Sequence, residues 1–167
     1  KGLRVFSSKS NPLLSLEAGT ENERFNIQTN LVGSYNTENV LAATCVGLHF
    51  GVPVEKIGLA IQGYLPKNNR SQLIHTGRNT VFMDAYNANP SSMSAAINEF
   101  LAFEGQKKML ILGEMREVGE ASTEEHENLV NYLQQQGVDN VICLGKAFEA
   151  AAINAGYRHA ESIVQLN

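Results

Sequence analysis

The sequence predicts an α/β protein: a mostly parallel sheet covered by helices, preceded by a strand-and-helix segment of a different domain. Three observations predict it. Phe25, Ile27, Thr29 and Leu31 alternate with polar residues, the period of a half-buried strand. From Gln72 onward, short apolar strands alternate with helical patterns, the rhythm that lays strands parallel and puts helices on the sheet faces. Between these regions stands Pro66-Lys67-Asn68-Asn69, polar and rich in breakers, where a domain boundary separates 1–66 from 67–167.

Residues 1–33 read as strands and turns, closed by Gly33. A helix follows over about 37–50. Leu41, Cys45 and Leu48 share its apolar face, Val40, Ala43 and Val46 widen it, and Gly51 and Pro53 stop it. A shorter helix carries Ile57, Ala60 and Ile61 and ends near Gly63. Gln72–Thr76 and Thr80–Ala85 read as a hairpin turning at Gly77-Arg78. Met93, Ala96, Ile97, Phe100 and Leu101 recur at helical spacing and predict a helix over 90–104. Met109–Leu112 is an apolar strand. Ser122 and Glu125 have capping-box spacing and open a helix that buries Leu129, Val130 and Leu133. Val141–Leu144 is the next strand and 146–155 the next helix. No closing element is evident after it, and both ends read as cuts.

Hydrophobic residues make up 43% and charged residues 18%, enough apolar material for a core in an ordinary globular protein. The formal charge is −4 with no Lys/Arg block, which argues against nucleic-acid binding. No apolar run approaches the roughly 20 residues of a membrane span, and no signal peptide opens the chain. Cys45 and Cys143 read as small core residues in a reducing compartment, and the four histidines lack metal-ligand spacing.

In open α/β sheets, ligands bind beyond the carboxyl ends of the strands. Asp84-Ala85-Tyr86-Asn87-Ala88-Asn89-Pro90 lies at such an end. Pro90 suits a first helical position, so Asn89 can cap the helix and leave backbone N–H groups free for an anion. Asp84 could accept hydrogen bonds from a ribose diol. A plain turn with asparagine caps reads the same residues equally well. Gly113-Glu114-Met115-Arg116-Glu117-Val118-Gly119 follows the next strand. It reads either as a solvated loop or as the seat of an acid/base pair, Glu114 and Glu117. Gly33-Ser34-Tyr35-Asn36-Thr37-Glu38-Asn39 opens a helix. Asn36 can cap it, and exposed amides there can read a purine edge. Arg70 has no evident partner and is a surface arginine or a phosphate clamp.

Taken in order, Leu31 to Ala43, Asp84 to Met93 and Ile111 to Gly119, with Ser122 and His126 downstream, resemble the ATP-dependent Mur ligases. The second stretch is the most specific. It is similar to the branch that adds D-alanyl-D-alanine to UDP-N-acetylmuramoyl-tripeptide, where sister ligases carry an Asp-Tyr-Ala-His-type loop. The resemblance implies a three-domain cytoplasmic monomer of peptidoglycan synthesis. This chain would hold the tail of the central ATPase domain, 1–66, and most of a Rossmann-like C-terminal domain, 67–167. It further implies that Asn36 and Asn39 belong to the adenine site and Asp84 holds ribose. Asn87 and Asn89 would lie near the terminal phosphate and the acyl site, and Arg70, the candidate catalytic residue, would reach toward the phosphates. ATP would convert the peptide carboxylate to an acyl phosphate, which the dipeptide amine attacks, with Mg2+ neutralising the phosphates.

No Gly-x-x-x-x-Gly-Lys-Thr/Ser occurs, so the chain alone is expected to be inactive, with the phosphate loop and magnesium ligands upstream. Tyr35 stands where the family usually has His, Asn69 where it has Gly, Glu114 where it has Asp, and Val118 where it has Leu. The competing readings are a sister amide ligase, a folate polyglutamate ligase, and a non-catalytic nucleotide-binding domain.

Overall fold

The structure, a computed structural model, describes residues 2–21, 23–105 and 107–166. By contact it divides into two compact units, Lys1–Tyr86 with Asn98–Phe103, and Asn87–Ile97 with Glu104–Asn167.

The first unit begins with an antiparallel meander, β1 (Arg4–Ser10), β2 (Leu13–Gly19) and β3 (Arg24–Val32). Leu16 pairs with Ser8 on one side and Ile27 on the other. Strand periodicity sends Leu14, Leu16 and Ala18 to one face, where they join Ile27 and Val40 in a buried cluster. Thr29 shares that interior because its hydroxyl donates to the Leu14 carbonyl at 2.8 Å, leaving no unsatisfied polar atom.

Helices α1 (Thr37–His49) and α2 (Val54–Gly63) follow. The sequence points α1 inward through Leu41, Cys45 and Leu48, and the structure corrects this. Val40 and Thr44 are buried, Leu41 and Leu48 are half-buried, and Cys45, Ala43 and Val46 are exposed. The cause is Gly47. A Cβ there would lie 2.8 Å from Ile57 Cδ1, so only glycine lets α2 approach, and the line Val40, Thr44, Gly47 turns inward. Thr44 tolerates full burial because its hydroxyl donates to the Val40 carbonyl at 2.8 Å. Cys45 lies one helical step off that line and is no core residue.

The hairpin is as expected: β4 (Gln72–His75) pairs antiparallel with β5 (Thr80–Met83), Gln72 opposite Met83. It forms its own two-stranded sheet. Phe82 packs edge-on to Phe100, centroids 5.4 Å apart, and tilted against Phe103 at 5.1 Å. These are worth about 0.5–1.5 kcal/mol per pair beyond area burial.

The second unit holds a parallel sheet of β6 (Leu110–Gly113), β7 (Val141–Leu144) and β8 (Arg158–Ala160), in that order. Helix α4 (Ser122–Gln135) links β6 to β7 and buries Leu129, Val130 and Leu133. Helix α5 (Glu149–Asn154) links β7 to β8 and buries Ala151 and Ala152. Cys143 is fully buried in the central strand, as its apolar setting predicts. The closing strand β8 escapes the sequence reading because Arg158-His159-Ala160 has no apolar run. It is held by pairing to β7, Ile142 opposite Arg158 and Leu144 opposite Ala160.

The capping box at Ser122 does not form. A 3-10 turn over Gly119–Ala121 runs directly into α4, and Ser122 is the first helical residue with no side-chain cap before it. Helix α3 (Pro90–Ala102) starts at Pro90, with Ile97 as its buried residue.

Candidate functional site

In the first unit the helix start after β3 and the strand start before β4 are tied by side chains. Gly33, at φ +92°, has no Cβ because one would collide with the Tyr35 ring, which lies back over it. The Tyr35 hydroxyl donates to Asp84 Oδ2 at 3.1 Å and lies 3.2 Å from Ser71 Oγ. Ser71 donates its backbone N–H to Asp84 Oδ1 at 3.3 Å and accepts the Val32 N–H at 3.2 Å. Burial, reinforced by the Asp84 charge and opposed by the Ser71 hydrogen bond, pushes the Tyr35 phenol up to about 12.

Asn36 does not cap α1 with its side chain. It is buried instead, donating Nδ2 to the Val32 carbonyl at 2.8 Å and to Ser71 Oγ at 3.0 Å. Its Oδ1 accepts from Asn39 at 3.1 Å, and Asn39 itself is exposed. The Asn36 amide therefore serves the scaffold, while Asn39 and Asp84 keep solvent-facing atoms. Glu99 accepts the Ser34 backbone N–H at 2.7 Å and the Ser34 hydroxyl, fixing the start of this segment.

Arg70 is flanked by two non-glycine residues with left-handed backbone, Asn69 at φ 58° and Ser71 at φ 49°. Asn tolerates that region, while for Ser it costs on the order of 1–2 kcal/mol. The Arg70 guanidinium lies 3.8 Å from the centroid of the Tyr86 ring, a partner not evident in the sequence. A cleft lined by Leu13, Asn30, Pro66, Lys67, Gln72 and His75 includes none of these residues.

In the second unit Asn89 does cap α3. Its Oδ1 accepts the Ser92 N–H and the Ser91 hydroxyl, both at 2.9 Å. Asn87 Nδ2 donates to Glu117 Oε2 at 2.8 Å, joining the two loops singled out in the sequence. Glu114 is engaged elsewhere. It takes Arg116 Nε at 3.1 Å and the Ala147 N–H at 3.4 Å, and its carboxylate lies where a Cβ on Gly145 would sit. The two carboxylates thus have separate partners, which gives no support to an acid/base pair.

A protein-family model described as "Mur ligase, glutamate ligase domain" matches residues 69–166, more than half of the chain. The chain belongs to the Mur ligase family. Among relatives, UDP-N-acetylmuramoyl-tripeptide--D-alanyl-D-alanine ligase of Bacillus subtilis is 35% identical over 118 residues, covering 70% of this chain and 26% of that protein. The Buchnera aphidicola protein of the same name is 26% identical over 163 residues, covering 95% of this chain and 35% of that protein. The crystal structure of MurF ligase from Thermotoga maritima in complex with ADP shares the fold, with a TM-score of 0.77 at 20% identity. That match covers 98% of this chain and 38% of the other. The Acinetobacter baumannii UDP-N-acetylmuramoylalanyl-D-glutamyl-2,6-diaminopimelate--D-alanyl-D-alanyl ligase superposes with a TM-score of 0.86 at 23% identity, over 99% of this chain and 36% of the other. The chain therefore spans about a quarter to two fifths of the length of these Mur ligases.

Of the candidate residues in this Mur ligase, Asn36, Asn39 and Asp84 are linked through Tyr35 and Ser71 within one unit, and Arg70 adjoins Ser71 in sequence. Asn87 and Asn89 belong to the second unit. Sequence reasoning missed Ser71 and Glu99. Both are single polar residues with partners at least 13 positions away, and nothing local signals that.

Proposed function

We propose that this chain is the nucleotide-facing part of an ATP-dependent amide ligase of peptidoglycan precursor synthesis. It joins D-alanyl-D-alanine to UDP-N-acetylmuramoyl-tripeptide through an acyl phosphate. Residues 1–66 complete a central ATP-binding domain and 67–167 form the last domain, a division supported by a family match that begins at residue 69.

The observation that carries the reading is the Asp84 carboxylate. It is exposed, yet both oxygens are held from the protein side, by Tyr35 and Ser71. A carboxylate so braced suits the two hydroxyls of a ribose. Asn39, reached from Asp84 through Tyr35, Ser71 and Asn36, presents an amide to the purine edge. Arg70 supplies a planar cation for the phosphates, and Asn87 and Asn89 serve the acyl-transfer end. The names of the curated relatives favour D-alanyl-D-alanine over other amino donors.

Among the described residues no group of three or more His, Cys, Asp or Glu could hold a metal ion. No helix among them is long and apolar enough to cross a membrane. In this proposal the ligase is a cytoplasmic monomer acting on small-molecule substrates. The test is phosphate release by the full-length protein with ATP, UDP-N-acetylmuramoyl-tripeptide and D-alanyl-D-alanine, beside the Asp84→Ala variant. The reading requires turnover that depends on all three substrates, and a KM for ATP raised about tenfold to a hundredfold in the variant, the worth of a hydrogen bond to a charged group. Turnover with a different amino donor and none with the dipeptide would overturn the substrate assignment.

A further inference from the structure

The hydrogen bonds around Asp84 have a direction. Asn36 Nδ2 can only donate, so Ser71 Oγ accepts from it at 3.0 Å. The Ser71 hydroxyl proton is then free for the Tyr35 oxygen at 3.2 Å, and the Tyr35 proton for Asp84 Oδ2 at 3.1 Å. Each hydroxyl accepts once and donates once, and the relay ends on the carboxylate. The Ser71 backbone N–H occupies the second oxygen. One acceptor position on each oxygen is left, on a side chain that is otherwise exposed.

Two features show that the arrangement is built. Ser71 is buried and holds a left-handed backbone that serine ordinarily avoids. Gly33 is the residue that lets the Tyr35 ring lie back toward Asp84, since any Cβ would strike it.

We propose that Tyr35 is a positioning residue for the nucleotide ribose, the end of a one-way relay from Asn36 through Ser71 that locks Asp84 to receive a vicinal diol. This rests on the assignment of Asp84 to the ribose. Tyr35 touches no substrate; it fixes the plane of the carboxylate, so that two adjacent hydroxyls are met at once and one hydroxyl is met less well. The relay therefore sets preference for a ribonucleotide over its 2′-deoxy form.

The test is steady-state kinetics of the full-length protein with ATP and with 2′-deoxy-ATP for wild type, Tyr35→Phe, Tyr35→His and Asp84→Ala. Tyr35→Phe should raise KM for ATP about threefold to tenfold, the range of one ordinary hydrogen bond. KM for 2′-deoxy-ATP should move less, so discrimination shrinks, and the effect should fall on KM rather than kcat. Tyr35→His, which restores a ring N–H donor, should recover part of the discrimination. If Tyr35→Phe shifts both nucleotides equally, or shifts neither while Asp84→Ala raises KM for ATP, the relay does not position the ribose and the proposal falls alone. If Asp84→Ala leaves KM for ATP unchanged, the ribose assignment falls and takes the proposal with it.

Discussion

His126 Nε2 accepts the backbone N–H of Met115 at 3.0 Å, while its Nδ1 donates to the Ser122 carbonyl at 2.6 Å. The ring is fully buried and edge-on to Phe148 at 4.4 Å, so one imidazole pins the loop after β6 onto the first turn of α4. His126→Ala leaves the Met115 N–H without its partner and opens a cavity. The expected loss is about 2–4 kcal/mol, read as a lower urea midpoint of the isolated chain. A loss below about 1 kcal/mol would mean that the loop finds other partners.

Gly145 lies at φ +104°, and its missing Cβ leaves room for the Glu114 carboxylate. Gly145→Ala is expected to cost more than about 2 kcal/mol, because backbone strain and displacement of Glu114 add. Gly51→Ala is the control. Gly51 has φ +72° and open space around it, so strain alone should cost about 1–2 kcal/mol. Equal melting temperatures in the two variants would show that the Glu114 contact contributes nothing.

Burial pushes the Cys143 thiol from 9.0 to about 11. The unfolded thiol therefore gives up its proton at lower pH than the folded one. Stability is full below pH 9 and falls as pH rises toward 11, by at most about 3 kcal/mol from this group. Denaturation of the chain across this range should show that slope, and Cys143→Ala should flatten it. An identical slope in the variant would assign the loss to other groups.

Arg70→Ala in the full-length protein should chiefly lower kcat if the guanidinium meets charge that develops on the phosphates. Arg70→Lys should rescue poorly, because the planar fork is lost. Tyr86→Leu removes the ring under Arg70 and should lower kcat by less, since a stacking contact at an exposed site is worth about 0.5–1 kcal/mol. Wild-type kinetics in all three variants would make Arg70 a surface residue.

The elements with strong periodicity were legible in the sequence: β3, α3, α4, β6, β7 and the β4–β5 hairpin. In β3, α4 and β7 the apolar pattern and the burial coincide, whereas Met109 before β6, Ile111 within it and Ile74 in the hairpin are exposed although they belong to the apolar runs. The inward line of α1 was not, because it depends on Gly47 meeting Ile57, and a glycine enters no hydrophobic pattern. Strand β8 was not, because its pairing to β7 holds a segment that has no apolar run of its own. In the candidate site, Asn89 as a cap follows from its place before Pro90. The burial of Asn36 does not, since its partner Ser71 is 35 residues away. Local sequence carries local chemistry, and a relay across two segments is decided only when they meet.

Cys45, turned outward by the packing at Gly47, gives the chain a native chemical handle. It is the exposed one of two thiols, and the other is fully buried with its proton held to about pH 11. A maleimide dye at neutral pH should therefore attach at one place, on the helix that Asn36 and Asn39 begin, without any engineered cysteine. Fluorescence anisotropy and energy transfer from that dye would report in real time whether ATP engages this chain.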